Sequence, residues 1–475
     1  MGVKVLFVAS EVSPYAKSGG LGDVAGSLPK ALKAAGMDVK VICPKYKDIK
    51  PELIEDIEYV GSFAVNTGWR AQGASVYLKK GNVDIYFIEN DFYFGRNGYY
   101  GYGDDNERFA FFSRAVLDSL NIIDFIPDII HCNDWQTGPV CLYLKDVYRN
   151  FDALANTKSI FTIHNLQYQG NFDPSTLGYM ELDGSYNSAD RLEFNGRISF
   201  MKAGIFYSDY VTTVSRTYAH EIQTPQYGYG FDGILRCRRE QLFGIVNGID
   251  YDENNPETSK KIYTNFSAEN KEGKRENKRH LQKELNLNES DKPMFSLISR
   301  LVDQKGIDLV ISCLDELMFK DTQVVILGTG DGRYEHIFRE FASRYPGKIS
   351  ANILFDDTLA QKIYAGSDMF LMPSLFEPCG LGQLFAMSYG TVPIARTTGG
   401  LVDTVEDYNF ETGKGNGFVF HDYIPSGLMW AINMSLKAYY EPNHWDNVVN
   451  NAFAARFSWE RSAKEYEKLY NNLMQ

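Results

Sequence analysis

Residues 3–24 read VKVLFVASEVSPYAKSGGLGDV. The opening run, VKVLFVAS, is continuous and apolar, the pattern of a strand buried on both faces of a sheet. The glycine-rich loop KSGGLGDV (17–24) follows, then LPKALKAAG (28–36), which reads as a helix ending in a C-capping Gly36. Strand, glycine loop and helix make the opening unit of a doubly wound parallel α/β domain, whose ligands sit at the carboxyl ends of the strands. Glycines let backbone approach a ligand closely, and the following helix start offers unpaired N–H groups and a positive dipole end. Lys17 adds a mobile point charge suited to a phosphate or an anionic leaving group, and Asp23 adds acceptors suited to sugar hydroxyls. A tight strand-to-helix turn with a solvated lysine accounts for the same residues, and spacing alone leaves both readings open.

Beyond this unit, short apolar strands alternate with helical segments. DVKVICP, VDIYFIE, PDIIHCNDW, KSIFTIHN and YVTTVS continue the first series. The grammar restarts with PMFSLISRL, TQVVILGTGDG, KISANILF, MFLMPS and TVPIART. Between the two series lie GIVNGID (244–250) and a polar stretch to about Lys292, which mark a boundary. Two βαβ series with one boundary predict two doubly wound parallel-sheet domains, residues 1–243 and 244–456, facing each other across a cleft. The last segment, FSWERSAKEYEKLYNNLM, reads as a closing amphipathic helix over 457–475.

Bulk properties remove several classes of function. A net charge of −13 argues against a general nucleic-acid binder. Six scattered cysteines without a CxxC pair suit reduced thiols, not a disulfide framework or a zinc site. No apolar stretch approaches the roughly 20 residues needed to cross a bilayer, and the first apolar run is too short for a signal peptide. A cytoplasmic enzyme with no membrane partner is expected. GxxxxGK[ST], HExxH and GxSxG are absent, which leaves P-loop, zincin and serine-hydrolase chemistry without support.

Four further loops carry candidate chemistry. In SRLVDQKG (299–306), Arg300 and Lys305 flank one strand-to-helix loop and suit a pyrophosphate, the arginine through paired N–H bonds. In FEPCGLGQ (376–383), amides of residues 380–382 would face a phosphate at the N-terminus of the following helix, and Glu377 is placed to accept sugar hydroxyls or to stabilise an oxocarbenium-like transition state. Cys379 lacks a base partner and reads as a packed thiol. TIHN (162–165) ends a strand at His164, and HCNDWQ (131–136) ends another with Asp134 as its polar contact. LGTGDG (327–332) resembles a nucleotide-binding turn, a weak signal by itself. Surface cations, a helix-capping acid and a structural histidine are the plain alternatives for these positions.

Taken together, KSGGLGDV, HCNDWQTG, FTIHNLQYQG, NGID, SRLVDQKG and FEPCGLGQ resemble the bacterial glycogen synthase and starch synthase family, glycosyltransferase family 5, from residue 3 to the closing helix. The resemblance implies the GT-B fold, two Rossmann-like domains with the active site between them and a C-terminal helix that crosses back to the first. It implies glucose transfer from ADP-glucose to the non-reducing end of an α-1,4-glucan, with retention of configuration and without metal or PLP. It also implies site residues. Lys17, Gly19 and Gly20 contact the donor; Asp23, His164 and Asn165 lie around glucose and acceptor, with Asp134 nearby. Asn247 contacts the sugar, Arg300 and Lys305 neutralise the departing diphosphate, and Glu377, Cys379 and Gly380 face glucose and phosphate, with Thr398 and Gly399 close by. Gly330 and Phe355 line the nucleotide. Three positions depart from the family pattern: Ser18 replaces Thr, Gly382 replaces a larger or hydroxylated residue whose phosphate bond is lost, and Phe355 replaces Tyr beside the adenine. The competing readings are a relative of the same fold that uses UDP-glucose, a glucan phosphorylase, an NAD-type oxidoreductase and a silent glucan-binding protein. The oxidoreductase is disfavoured because KSGGLGDV is not GxGxxG.

Overall fold

A computed structural model describes residues 2–475. The chain divides into two compact units, one built from residues up to Ile245 together with Trp459–Gln475, the other from Val246–Ser458. The first strand, Lys4–Val8, is central in a nine-stranded sheet. Moving to one side, the neighbours are Ile129–Asn133, Lys158–Ile163, Tyr210–Thr213 and Leu242–Gly244, all parallel. On the other side lie Asp38–Pro44 and Asp84–Glu89, also parallel. A long hairpin, Glu58–Thr67 and Arg70–Lys79, then extends the sheet in antiparallel pairing. That hairpin lies outside the strands expected from sequence, as does a small sheet formed by Asn171–Phe172, Glu193–Phe194 and Arg197–Ser199.

The helix after the first strand begins earlier than LPKALKAAG suggests, running Gly20–Ala34, so Gly22 and Asp23 sit in its first turn. Gly36 N–H donates to Lys33 O and Met37 N–H to Leu32 O, the paired bonds that satisfy a helix's last carbonyls. The closing helix, Trp459–Met474, buries Trp459, Ser462, Ala463, Tyr466, Leu469 and Tyr470. That spacing places one apolar stripe on one side of the helix. The stripe packs within the first unit, against Gly20–Ala34. The Tyr470 phenol meets His131 Nδ1 at 2.6 Å, and His131 Nε2 meets Thr162 Oγ1 at 2.6 Å, a buried polar chain between the helix and two sheet strands.

The second unit is a six-stranded, wholly parallel sheet in the order Ile349–Asn352, Gln323–Leu327, Met294–Ile298, Met369–Met372, Val392–Arg396 and Phe418–Phe420. Its inner strands are buried, as the apolar runs require. All six cysteines are free thiols, five of them buried and Cys237 exposed. Among the described residues, no helix is long and apolar enough to cross a membrane.

Candidate active site

In each unit, the residues singled out from sequence follow the carboxyl ends of parallel strands, the edge at which open α/β sheets bind ligands. In the first unit, Lys4–Val8 leads into the loop carrying Glu11 and Lys17. Lys17 Nζ pairs with Asp23 Oδ1 at 2.8 Å. The lysine is therefore held against the helix's first turn. Glu11, not among the residues expected from sequence, organises the loop. Its buried carboxylate accepts from the Ser18 amide, from Ser18 Oγ (2.7 Å) and from the Tyr100 phenol (2.7 Å). Ser18 keeps the hydroxyl needed for that bond.

Ile129–Asn133 and Lys158–Ile163 place Asp134 and His164 side by side. The His164 amide donates to Asp134 Oδ1 at 2.7 Å, and the Asn165 amide also donates to this carboxylate. Burial nevertheless pushes the Asp134 carboxyl up to about 7, with the Glu11 charge adding to the effect. Asp134 has φ 56° and ψ 177°, a backbone state that costs a non-glycine residue about 1–3 kcal/mol. The carboxylate's two backbone bonds hold it there. His164 Nε2 lies 2.9 Å from Asn133 Oδ1. The Asn133 amide nitrogen donates to Val8 O (3.0 Å) and His131 O (3.3 Å), which turns its oxygen toward the imidazole. His164 therefore carries its proton on Nε2 and leaves Nδ1 bare. Burial pushes its pKa down to about 3, so it is neutral at ordinary pH and its Nε2 is not available as a base.

In the second unit, Lys305 Nζ contacts both oxygens of Glu377, at 2.9 and 2.7 Å, and Ser374 Oγ donates to the same carboxylate at 2.9 Å. Glu377 is buried and Lys305 is 19% exposed as a side chain. The Glu377–Cys379 turn rests on the Thr398–Gly400 turn: Gly400 N–H donates to Glu377 O at 3.0 Å. Gly399, at φ 47°, brings backbone so close that a Cβ would lie 2.0 Å from Glu377 O. Thr398 is fully buried beside it. The Cys379 thiol, pushed up to about 12 by burial, receives the Asn247 amide and is no nucleophile. Asn247 is buried with Oδ1 unpartnered by any hydrogen bond. The Gln383 amide nitrogen reaches Cys379 O (3.2 Å), Gly380 O (2.9 Å) and Thr404 Oγ1 (3.1 Å), fixing the turn from beneath.

Arg300, Gly330 and Phe355 follow neighbouring strands but do not touch that cluster through any hydrogen bond. The Arg300 loop is tied to the Gly330 loop by Leu301 N–H to Thr329 O (2.9 Å) and Asp331 N–H to Leu301 O (2.8 Å). Arg300 is exposed, and among the described residues no carboxylate pairs with it. Phe355 is 75% exposed. At Gly382 the expected reason for glycine changes. A Cβ there would sit 2.9 Å from the Phe370 ring, against the strand beneath, so the position is governed by packing.

The starch synthase catalytic domain model matches residues 4–237, and the model for group 1 glycosyl transferases matches residues 278–452. A glycogen synthase of Clostridium acetobutylicum is 50% identical over 477 residues, covering 99% of this chain and 100% of that protein. The chain belongs to the glycogen synthase family. A glycogen synthase of Desulforudis audaxviator is likewise 50% identical, over 100% of this chain and 97% of its own. Among solved structures, the catalytic domain of starch synthase IV from Arabidopsis thaliana, bound to ADP and acarbose, superposes with a TM-score of 0.94 at 35% identity over 100% of both chains. Sucrose-phosphate synthase from Thermosynechococcus elongatus shares the fold at a TM-score of 0.63 and 18% identity. The two parallel-sheet units are those of the GT-B architecture of glycogen synthases, and the activity of the family is glycosyl transfer.

Proposed function

We propose that the protein transfers glucose from ADP-glucose to the non-reducing 4-hydroxyl of an α-1,4-glucan, with retention at the anomeric carbon and release of ADP, in the cytoplasm. The Lys305–Glu377 ion pair at the carboxyl edge of the second sheet carries this reading. A donor phosphate arriving beside Lys305 offers the ammonium a second anion. Glu377, still held by Ser374, is then left to accept a glucose hydroxyl and to oppose the positive charge that grows at the anomeric carbon.

The C1–O bond to phosphate breaks with its electron pair on the diphosphate, where Arg300 and Lys305 answer the negative charge. The acceptor 4-hydroxyl bonds to C1 from the same face, and its proton passes to the departing phosphate oxygen. No carboxylate is assigned as covalent nucleophile. Asp134 is engaged by two backbone amides. Neutral His164 holds the strand end so that its carbonyl faces the developing charge. Lys17, Gly19, Gly20, Asp23, Asn247, Gly330, Phe355, Cys379, Gly380, Gly382, Thr398 and Gly399 contact donor, and Asn165 and Asp134 contact sugar or acceptor. No metal or PLP enters the scheme. The unpartnered Asn247 oxygen supports a sugar-hydroxyl contact at that position.

ADP release is the test. It should require both ADP-glucose and a glucan, be much weaker with UDP-glucose, and fall by orders of magnitude in E377Q and in K305A. Equal rates with the two donors would remove the nucleotide assignment, and normal turnover in both variants would remove the site assignment.

A further inference from the structure

The hairpin of Glu58–Thr67 and Arg70–Lys79 has no part in the chemistry above, yet its turn presents an indole, Trp69, that is 81% exposed. Behind it runs a ladder of alternating rings and guanidinium groups. Arg70 lies 5.1 Å from the Trp69 ring centre and 5.0 Å from that of Phe92. Arg96 lies 5.2 Å from Phe92 and 5.1 Å from Tyr102, and Arg108 lies 4.8 Å from Tyr102. Each guanidinium has its own carboxylate, Glu107 for Arg70, Asp104 for Arg96 and Asp105 for Arg108. The indole is thus backed by a rigid, charge-neutralised stack.

On this hairpin and the end of the neighbouring strand Asp84–Glu89 is a concavity of about 470 Å³, lined by Ser62, Phe63, Ser75, Glu89, Asn90 and Asp91, the last adjoining Phe92 in the chain. Its lining offers hydroxyls and carboxylates, and the nearby cation Lys45 is paired with Glu89 at 2.6 Å. An anionic ligand finds no open charge there. An exposed flat ring at the turn of a hairpin whose strands also carry hydroxyl and carboxylate acceptors suits a neutral, hydroxyl-rich chain, whose pyranose C–H faces stack on aromatics while its hydroxyls donate to carboxylates. The segment joining these features also reaches the catalytic loop. Tyr99 receives the Lys17 amide and Tyr100 bonds to Glu11.

We propose that Trp69, Phe92 and the concavity on the same hairpin hold a stretch of α-glucan away from the residues of glucosyl transfer, anchoring a long acceptor to the first unit. This rests on the glucan reading above. The test compares wild type, W69A and W69F in initial-rate assays with glycogen and with maltotriose, and by retardation in glycogen-containing native gels. W69A should raise KM for glycogen roughly five- to tenfold, the factor that about 1–1.4 kcal/mol of ring contact supplies. It should leave kcat and the maltotriose KM unchanged and lose retardation, and W69F should retain most of both. A glycogen KM within twofold of wild type, an equal rise for maltotriose, or a change in sedimentation coefficient in place of glycogen affinity overturns the platform. A wild-type enzyme inactive on every glucan would instead overturn the proposed function.

Discussion

Removing Lys305 isolates the pair on which the second unit's chemistry turns. In K305A the buried Glu377 carboxylate keeps only the Ser374 hydroxyl, having lost two charge-assisted contacts at 2.9 and 2.7 Å. Breaking a buried pair from one side costs about 3–5 kcal/mol, because an uncompensated charge remains. Lys305 is 19% exposed, so water recovers part of this and the lower end applies, about 3 kcal/mol. Such a loss lowers the folded-to-unfolded ratio more than 100-fold at about 1.4 kcal/mol per decade. Equilibrium urea unfolding read by tryptophan fluorescence, with Trp430 and Trp445 reporting from the second unit, measures it. The double variant K305M/E377Q removes both charges and should regain most of the stability while remaining inactive. A K305A loss below about 1 kcal/mol, or a double variant no more stable than K305A, would refute the claim that the two groups hold each other in a desolvated pair.

Three further outcomes follow from the geometry. Asp134 titrates near 7 when folded against about 3.9 unfolded, so the stability it contributes is complete below about pH 4 and lost as pH rises through 7; His131 and His164, held near 3 against about 6.5, contribute stability that is lost as pH falls below about 6.5. D134N keeps an acceptor for the His164 amide and removes only the first trend, so it should lose stability more steeply than wild type on acidification from pH 7 to 4, and parallel curves in urea titrations would contradict this. G399A should cost about 2–4 kcal/mol and most of the activity, since its methyl must displace the Glu377 carbonyl; thermal unfolding beside a T398S control checks it. Y470A should destabilise the first unit by about 3–5 kcal/mol through a lost buried ring and an orphaned His131, measured by hydrogen exchange on the Ile129–Asn133 strand.

The parallel strands were legible because burial on both faces demands unbroken apolar runs, as in VKVLFVAS and MFLMPS. The hairpin at 58–79 was not. Of its first strand only Val65 and Thr67 are buried, so apolar and polar residues mix without a clean period. Strands of two or three residues, such as Asn171–Phe172, carry no period at all. Loop residues such as Lys17, Asp134 and Glu377 could be located by their place after a strand. Their partners could not, because Lys305 and Glu377 lie 72 positions apart and Glu11 and Tyr100 lie 89 apart. Glu11 escaped notice because it reads as the tail of the first strand; an acid between an apolar run and a glycine loop was the available signal. At Gly382 the motif suggested a lost phosphate contact, whereas the Phe370 ring beneath it supplies the reason.

Because the first unit takes its last helix from Trp459–Gln475, its assembly cannot be completed in the order in which a ribosome delivers the chain. A nascent polypeptide paused after Ile245 would display the bare seat of Trp459, Tyr466 and Tyr470, with His131 lacking its phenol. The second unit, contiguous from Val246 to Ser458, has every residue it needs before the tail emerges. Maturation would then run backwards along the gene, the later-made half settling first and the earlier-made half sealing last, and damage confined to Trp459–Gln475 would injure the amino-terminal half.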